Sequence, residues 1–461
     1  MRIKIAHLLF VYAAISGFTI FYFDGTGDAG DSVFHYLYAK YAPLHPDLYF
    51  DHWAKPVFVL LSSPFAQFGF MGMKVFNALV SLGTIYMTWR TADQLYGRPT
   101  LPAALMLMCA PLFFILTFSG LTEPLFALFV ISGVHLAARK QFLSAGLLIS
   151  FLPFVRSEGL LFMGVFGLYF LFLKQLRYLP TLLVGHLAYS IAGYFVFHDL
   201  LWVFNKIPYA RMGSIYGKGD FTHFIPQLFY AVGFTVYGLF IIGLMTTCWK
   251  LLKGRLNPER SMLVLGGFSC FFAFHSLAWH LGIFNSMGLT RVFVGVMPLM
   301  ALLALDGYQS LGALVENRGK LNVVVPALLT ALIVVLQFTG SPSAVHLKDL
   351  RLNKDQLTAN RVADFIRHSE YGGRRVAHAH PYLSMALGID HFDSAQFMDL
   401  KPDVFEQLKF GEVVIWDSWF AVVEQNITLE MLEKRVDLQK VFEASEPDRD
   451  RKVQYVVFVK H

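Results

Sequence analysis

Long apolar runs, separated by short polar segments, recur over residues 1–340 of the chain. A transmembrane helix needs roughly 20 mostly apolar residues, and about eleven runs approach this length. They cover residues 4–23, 72–90, 99–118, 121–138, 141–156, 158–173, 178–198, 226–250, 261–284, 289–311 and 321–340. A shorter run, Val57 to Phe70, adjoins Pro56 and contains Pro64, so we expect it to form an interfacial helix. The pattern predicts an all-α membrane protein.

The pattern changes after Gly340, where charged residues become frequent. Residues with helical periodicity alternate there with short strand-like runs. The predicted helices are Lys354–His368 and Leu429–Arg435, and the predicted strands are Arg375–His378, Glu412–Trp416 and Val453–Val459. We therefore expect two domains, a transmembrane domain over 1–340 and a small soluble α/β domain over 341–461.

Composition agrees with a multi-pass membrane protein. Only 15% of the residues are charged and 56% are hydrophobic, whereas a soluble domain is about one quarter charged. The loops on the N-terminal side of the predicted membrane carry more Lys and Arg than the opposite loops, which places the N-terminus in the cytoplasm. An odd number of spans then puts residues 341–461 outside. Because topology accounts for the net charge of +6, we expect no nucleic-acid partner.

Three acidic residues, Asp24, Asp28 and Asp31, directly follow the first predicted span. A carboxylate in a partly desolvated site at the bilayer surface is suited to act as general base toward a hydroxyl. The alternative is structural: Asp31 caps a helix over Ser32–Tyr41, and Asp28 is an ordinary loop residue. Asp28 and Asp31 are the candidate catalytic residues.

Basic residues near the predicted outer surface are candidates for binding a phosphate. Lys55 follows His52 and Trp53 and precedes the interfacial helix, so it either contacts a phosphate or extends to the surface beside an aromatic residue. Arg156 and Glu158 lie between two apolar runs, as an anion site or as a structural ion pair.

Two further charged residues open predicted spans on the same side. Glu123 either faces a cavity or interacts with the start of its own helix. Arg291 suits phosphate recognition, with extension to the membrane surface as the alternative. The sequence has no nucleotide-binding motif, so an enzyme of this kind would use a substrate activated elsewhere, and a lipid-linked substrate is natural in a membrane.

Taken in their order along the chain, these charged segments and apolar runs resemble the GT-C superfamily of integral-membrane glycosyltransferases. The resemblance is greatest to protein O-mannosyltransferases and to the bacterial aminoarabinose transferase acting on lipid A. Asp31, followed by His35 and Tyr36, matches the acidic residue that starts a helix in the family's first outer loop. Lys55–Pro56 matches the Lys-Pro of the family's interfacial helix, which contacts the lipid phosphate. Further segments that resemble family segments are Thr122–Phe126, Arg156–Gly159 and Thr290–Phe293 with Pro298.

Three positions depart from the family pattern. Ser32 stands where many relatives have a second acidic residue, Ala54 replaces an acid, and Val57 replaces a second proline. These departures leave open which carboxylate is the base and whether Asp28 and Asp31 share a divalent metal.

The resemblance implies a GT-C fold in a bacterial inner membrane. It also implies inverting transfer of mannose or a related sugar from a polyprenyl-phosphate donor to a hydroxyl of a lipid, glycan or protein acceptor. Asp31 or Asp28 would be the base. The residues expected to bind the substrates are His35, Tyr36, His52, Lys55, Glu123, Arg156, Glu158 and Arg291. The alternative is a transporter or flippase of lipid-linked sugars, which predicts internal repeats and polar groups at the membrane midplane.

Overall fold

The computed structural model describes residues 4–97, 99–209, 212–336, 339, 344–448 and 452–461, together with the backbone of residue 451. Helices dominate the described chain up to residue 335. They are α1 (Ile5–Tyr22), α2 (Asp31–Tyr41), α3 (Pro56–Ala66), α4 (Gly69–Leu95), α5 (Leu101–Met108), α6 (Pro111–Leu116), α7 (Glu123–Ala138), α8 (Phe142–Ser150), α9 (Gly159–Phe172), α10 (Val184–Phe197), α11 (Trp202–Asn205), α12 (Phe224–Val232), α13 (Phe234–Leu252), α14 (Gly267–Leu281), α15 (Met297–Val315) and α16 (Leu321–Val335).

Six helical segments in the described part of the chain are long and apolar enough to cross a membrane. They are Ile5–Tyr22, Gly69–Leu95, Leu176–Phe197, Phe234–Leu252, Glu259–Leu281 and Thr290–Val315. Shorter apolar helices accompany them at Pro56–Ala66, Glu123–Ala138, Phe142–Phe154, Gly159–Phe172 and Leu321–Val335. A helix of 16 residues such as α7 extends about 24 Å, which is less than the roughly 30 Å of a hydrocarbon core.

The prediction of roughly eleven spans is therefore not confirmed. Prolines divide or shorten several apolar runs, because proline cannot donate the backbone hydrogen bond of a helix interior. The run predicted as one span over 99–118 contains Pro102 and Pro111 and forms the two helices α5 and α6, with Ala110 extended between them. The predicted interfacial helix is present as α3, which begins at Pro56.

The central helix of this bundle is α15, within the segment Thr290–Val315, where 89% of the apolar window is buried. It packs against α13 through glycines. A Cβ atom at Gly243 would lie 1.8 Å from the carbonyl oxygen of Leu303, and one at Gly307 would lie 2.1 Å from that of Leu239. Small residues at these positions let the two helix backbones approach closely, as is common between helices in membranes.

After residue 344 the described chain forms short helices and a five-stranded sheet. The helices are α17 (Lys354–His368), α18 (Pro381–Leu387), α19 (Val404–Gln407) and α20 (Leu429–Glu433), and the strands are β1 (Val376–His378), β2 (Phe397–Asp399), β3 (Val413–Asp417), β4 (Leu438–Asp448) and β5 (Arg451–Lys460). The strand order is β2-β1-β3-β5-β4. Strand β1 pairs in parallel with β2 and β3, whereas β5 is antiparallel to β3 and β4. The predicted strands correspond to β1, β3 and β5; β2 and β4 were not predicted.

The loop between α1 and α2 is fastened to this C-terminal region. The N–H of Gly25 donates to the carbonyl of Leu350 (2.9 Å), and the N–H of Leu352 donates to the Asp24 carboxylate (3.2 Å). Asp24 is thus bound to the backbone of the C-terminal region. The next two acidic residues of the loop, Asp28 and Asp31, line a cavity that Asp24 does not reach.

Candidate active site

A cavity of about 470 Å³ lies where several helix ends meet the C-terminal region. Its wall is formed by the start of α2, the start of α7, the turn before α9 and the segment that precedes α15. Most residues predicted to act in the site line this cavity: Asp28, Asp31, His35, Lys55, Glu123, Arg156, Glu158 and Arg291. The structure thus brings together residues as far apart in sequence as Asp28 and Arg291, which are separated by 263 positions.

Asp28 and Asp31 occupy different positions at the start of α2. Asp28 Oδ1 accepts hydrogen bonds from the N–H groups of Gly30 (3.0 Å) and Ser32 (2.9 Å), which satisfies the first turn of the helix. The expectation that Asp31 is the cap is therefore wrong, because α2 begins at Asp31 itself. Gly27, directly before Asp28, has a φ of 86°, a conformation that glycine adopts readily. Asp31 is left facing the cavity, with 47% of its side chain exposed.

The acidic turn is held in place by several neutral contacts. Ser32 Oγ donates to the carbonyl of Thr26 and accepts from the N–H of Gly120 (2.7 Å). A Cβ atom at Gly120 would lie 2.2 Å from the carbonyl oxygen of Ser32, so a larger residue could not approach as closely. Gln356 of α17 donates from Nε2 to Thr26 Oγ1 at 2.6 Å. The turn is thereby fixed against the start of α7, where Glu123 lies.

Arg291 joins the two aspartates. Its Nη1 donates to Asp28 Oδ2 and its Nη2 to Asp31 Oδ2, an arrangement that suits the planar fork of a guanidinium. Burial alone would raise the pKa of Asp31, but the charge and hydrogen bond of Arg291, together with the other basic side chains around it, outweigh burial and lower it. For Asp28, burial is the stronger influence and raises the pKa against the attraction of Arg291. Asp31 is therefore the more readily ionised of the pair.

Arg156 forms a second bridge beside the first. Its Nη1 lies 2.8 Å from Glu123 Oε1, and its Nη2 lies 2.8 Å from Glu158 Oε1. Glu123 Oε1 is also 3.6 Å from Arg291 Nε, so this buried carboxylate connects both arginines. Burial opposes ionisation of Glu158, but Arg156 lowers its pKa to about 2. The structural pair expected for Arg156 and Glu158 is present, and both side chains also line the cavity.

Lys55 differs from the two arginines. Its Nζ donates to the carbonyl of His52 and to Ser157 Oγ, both at 2.9 Å, and no carboxylate in the described part of the chain lies within 4.0 Å of it. Its backbone φ is 71°, which is uncommon for a residue other than glycine, and it directly precedes α3. Burial lowers the pKa of Lys55 to about 8. The site thus contains one cation that is bound by neutral oxygens only.

His35 lies one helical turn after Asp31 and lines the cavity on the same face of α2. Its ring stacks on that of Trp53, with centroids 4.9 Å apart. Burial lowers the pKa of His35 to about 3, so the ring is neutral at physiological pH. Its Nδ1 is buried and has no hydrogen-bond partner among the described residues.

The structure does not bring Tyr36 and His52 to the cavity. Tyr36 follows His35 by about 100° around the helix and so points into the core, where its ring packs 5.5 Å from that of Phe70. His52 is buried, with Nε2 3.0 Å from the carbonyl of Val203. His52 contributes indirectly, because its backbone carbonyl accepts a hydrogen bond from Lys55 Nζ.

Two neighbouring carboxylates are also typical ligands of a divalent metal. Here the Arg291 guanidinium takes one oxygen of Asp28 and one of Asp31 and so lies where a shared metal would be. Within the described ranges, no group of three or more His, Cys, Asp or Glu side chains is arranged to hold a metal ion. The residues present do not fit a metal between the two aspartates.

Solved structures of similar shape identify the architecture. ArnT from Cupriavidus metallidurans in the apo state matches with a TM-score of 0.65 over 98% of this chain and 97% of that chain, at 12% sequence identity. The structure of the same protein bound to undecaprenyl phosphate matches with a TM-score of 0.61 over 98% of both chains, at 14% identity. This chain has the GT-C fold.

Other proteins with the GT-C fold match less completely. The oligosaccharyltransferase of Archaeoglobus fulgidus gives a TM-score of 0.55 at 12% identity, over 90% of this chain and 69% of that chain. The mycobacterial arabinofuranosyltransferase AftD gives 0.53 at 13% identity, over all of this chain and 40% of that chain. No family model matches the sequence, and no curated protein sequence matches it. Identities this low show a shared fold and leave the activity to be argued from the site.

A second group of cavity residues was missed by sequence reasoning. It consists of aromatic side chains and one acid: Trp53, Tyr209, Tyr216, Trp419, Phe420 and Glu424. Trp419, Phe420 and Glu424 come from the C-terminal region of this GT-C fold, just after the end of β3. A buried strand ending in Asp417 and followed by two adjacent aromatic residues is the one sequence signal that could have indicated them.

Proposed function

We propose that the protein is a membrane glycosyltransferase that moves a sugar from a polyprenyl-phosphate donor to an acceptor hydroxyl, with inversion at the anomeric carbon. Asp31 is the general base, and Lys55 binds the phosphate of the donor. The observation that carries this proposal is one cavity that contains both an accessible carboxylate and a lysine without a carboxylate partner among the described residues. Undecaprenyl phosphate bound to ArnT, which has the same fold, supports the class of donor.

Lys55 is better suited to the phosphate than either arginine. Arg156 and Arg291 already contact carboxylates, whereas Lys55 Nζ contacts two neutral oxygens. An ammonium has three hydrogens to donate, so one remains for a phosphate oxygen.

Asp31 is better suited than Asp28 to accept a proton. Both oxygens of Asp28 are used, one by the first turn of α2 and the other by Arg291. Asp31 Oδ2 binds Arg291, and its Oδ1 accepts no hydrogen bond from the described residues. The Asp31 side chain is also more exposed to the cavity, at 47% against 27% for Asp28.

The reaction is a single displacement. The acceptor hydroxyl transfers its proton to Asp31 as its oxygen forms a bond to the anomeric carbon, while the bond between that carbon and the donor's phosphate oxygen breaks. The electron pair of the broken bond leaves with the polyprenyl phosphate, and Lys55 stabilises the added negative charge. Attack from the opposite face inverts the configuration of the sugar. On the grounds of charge distribution and family resemblance, we place this step at the outer face and take mannose as the first sugar to test.

Transfer assays with the purified full-length protein test the proposal. Polyprenyl-phosphate mannose and related donors are combined with lipid, glycan and peptide acceptors, and wild type is compared with Asp31→Asn and Asp28→Asn. We expect Asp31→Asn to lower kcat by about 10²- to 10⁴-fold, the usual contribution of a general base. Asp47→Asn changes an exposed carboxylate of the same loop and serves as the matched control. Transfer by Asp31→Asn at the wild-type rate would rule out Asp31 as the base. Movement of the donor between leaflets without any transfer would instead support the transporter alternative.

A further inference from the structure

The aromatic group that lines the cavity has a defined structure of its own. Trp419 and Tyr216 lie with their rings nearly parallel, at 12°, and with centroids 6.4 Å apart. The Tyr216 hydroxyl donates to the Glu424 carboxylate. On the neighbouring wall, Trp53 Nε1 donates to the Tyr209 hydroxyl at 2.8 Å. Aromatic faces therefore alternate with polar oxygens along this side of the cavity.

The segment that carries Trp419 is held rigidly at the end of β3. The Asp417 carboxylate accepts hydrogen bonds from the N–H groups of Trp419 (3.0 Å), Phe420 (2.5 Å) and Ala421 (3.2 Å). Ser418 is paired through its backbone N–H with the carbonyl of Gln454 on β5 (3.0 Å). Because the backbone of this segment is already ordered, less conformational entropy is lost when a ligand stacks on Trp419.

The same segment lies close to the proposed base. The Phe420 ring reaches the acidic turn, since a Cβ atom at Gly30 would lie 3.1 Å from Phe420 Cζ. Gly30 directly precedes Asp31, the first residue of α2. A molecule resting on Trp419 would therefore be near the carboxylate that must receive its proton.

This combination of groups favours a saccharide over other acceptors. The C–H groups of a sugar ring carry partial positive charge and interact with the negative face of an aromatic ring, while its hydroxyls donate to carboxylates such as Glu424. A lipid tail would place apolar groups against the Glu424 carboxylate, whose one hydrogen-bond donor among the described residues is the Tyr216 hydroxyl. The negative charge of Glu424 also disfavours a phosphorylated acceptor.

We infer that Trp419, Tyr216 and Glu424 form an acceptor site for a neutral saccharide, whose ring stacks on Trp419 and whose hydroxyls donate to Glu424. The inference rests on the proposed function, because it specifies the acceptor of that reaction. It predicts that the C-terminal region selects the acceptor, whereas Lys55 selects the donor.

Saccharide binding is measured first, without any transfer. The full-length protein is purified in a detergent without a sugar headgroup, and methyl glycosides of mannose, glucose and galactose are titrated while saturation-transfer NMR is recorded. We expect saturable binding of at least one glycoside, weakened about tenfold or more by Trp419→Ala, which corresponds to about 1.4 kcal/mol. Trp419→Phe should retain part of the affinity, and Glu424→Gln should lose affinity without loss of stacking. The control is Trp249→Leu, at a tryptophan that is 51% exposed and does not line the cavity.

Transfer assays then separate this inference from the proposed function. We expect Trp419→Ala to raise the KM for a saccharide acceptor about tenfold, and to change the KM for the lipid-linked donor much less. Unchanged saccharide binding and unchanged acceptor KM in Trp419→Ala would overturn the acceptor site. So would a wild-type enzyme that glycosylates a Ser/Thr peptide and no saccharide, although the proposed function would then stand. Saccharide binding that depends on Trp419, in a protein that transfers no sugar, would support the saccharide site and refute the transferase activity.

Discussion

Replacing Arg291 with Gln should move the acidic limb of the pH–rate profile to higher pH. In the wild type, Arg291 bonds to both Asp28 and Asp31 and lowers the pKa of Asp31. The base is active when ionised, so activity is lost as the pH falls through this lowered pKa. Without Arg291, the pKa of Asp31 rises, because the attraction is gone and the repulsion from Asp28 remains. Activity should then be lost at a higher pH.

The size of the shift follows from the exposure of the pair. An arginine next to an aspartate lowers its pKa by about 1–3 units. The Asp31 side chain is 47% exposed, and solvent screening places the effect of removing Arg291 near the lower end of that range. Since the two aspartates are coupled, the limb reports the titration of the pair.

The assay is kcat/KM for sugar transfer as a function of pH, from about pH 2.5 to pH 7. The range extends below the ordinary aspartate pKa of about 3.9, because Arg291 lowers the pKa of Asp31 in the wild type. Arg291→Lys should give an intermediate shift, because an ammonium cannot bond to both carboxylates in the manner of a guanidinium. Arg177→Gln removes an exposed arginine that does not line the cavity and is the matched control. An acidic limb at the same pH in Arg291→Gln and wild type, with both proteins folded, would refute the role assigned to Arg291.

Three further predictions concern the other charges of the cavity. Lys55→Met should raise the KM for the lipid-linked donor by about tenfold to a hundredfold, the range for losing one charge-assisted hydrogen bond. A donor KM equal to that of the wild type would contradict phosphate binding by Lys55. Treatment with EDTA should leave transfer unchanged, because Arg291 takes the oxygens that a shared metal would need; activity that disappears with EDTA and returns with Mg²⁺ or Mn²⁺ would show this to be wrong. Glu123→Gln should lower the free energy of unfolding by about 1–3 kcal/mol. This is less than for a fully uncompensated buried charge, because Arg156 and Arg291 keep their other carboxylates. A thermal unfolding midpoint in detergent equal to that of the wild type would contradict this prediction.

Particular residues show how far local patterns reach. The helix predicted over Lys354–His368 has the same bounds as α17, because Asn353 caps its first turn and its apolar positions recur with helical period. Strand β4 was not predicted, since its side chains do not alternate regularly between buried and exposed. The structural alternative for Asp31 was that it caps the helix that follows, but Asp28 accepts the hydrogen bonds of that turn. Local sequence permits either aspartate, and the choice depends on the turn at Gly27 and on Arg291.

The sequence by itself determined the membrane character of the chain, the region of the sheet, and the charged residues at the ends of apolar runs, because these depend on composition and short-range periodicity. Only the tertiary structure decided which runs are long enough to span, how Arg291 connects Asp28 to Asp31, and that Lys55 lacks a carboxylate partner among the described residues. It also decided that Trp419 and Glu424 line the cavity beside Asp31. Such contacts join distant segments, and their energies depend on distances and burial that no local pattern specifies.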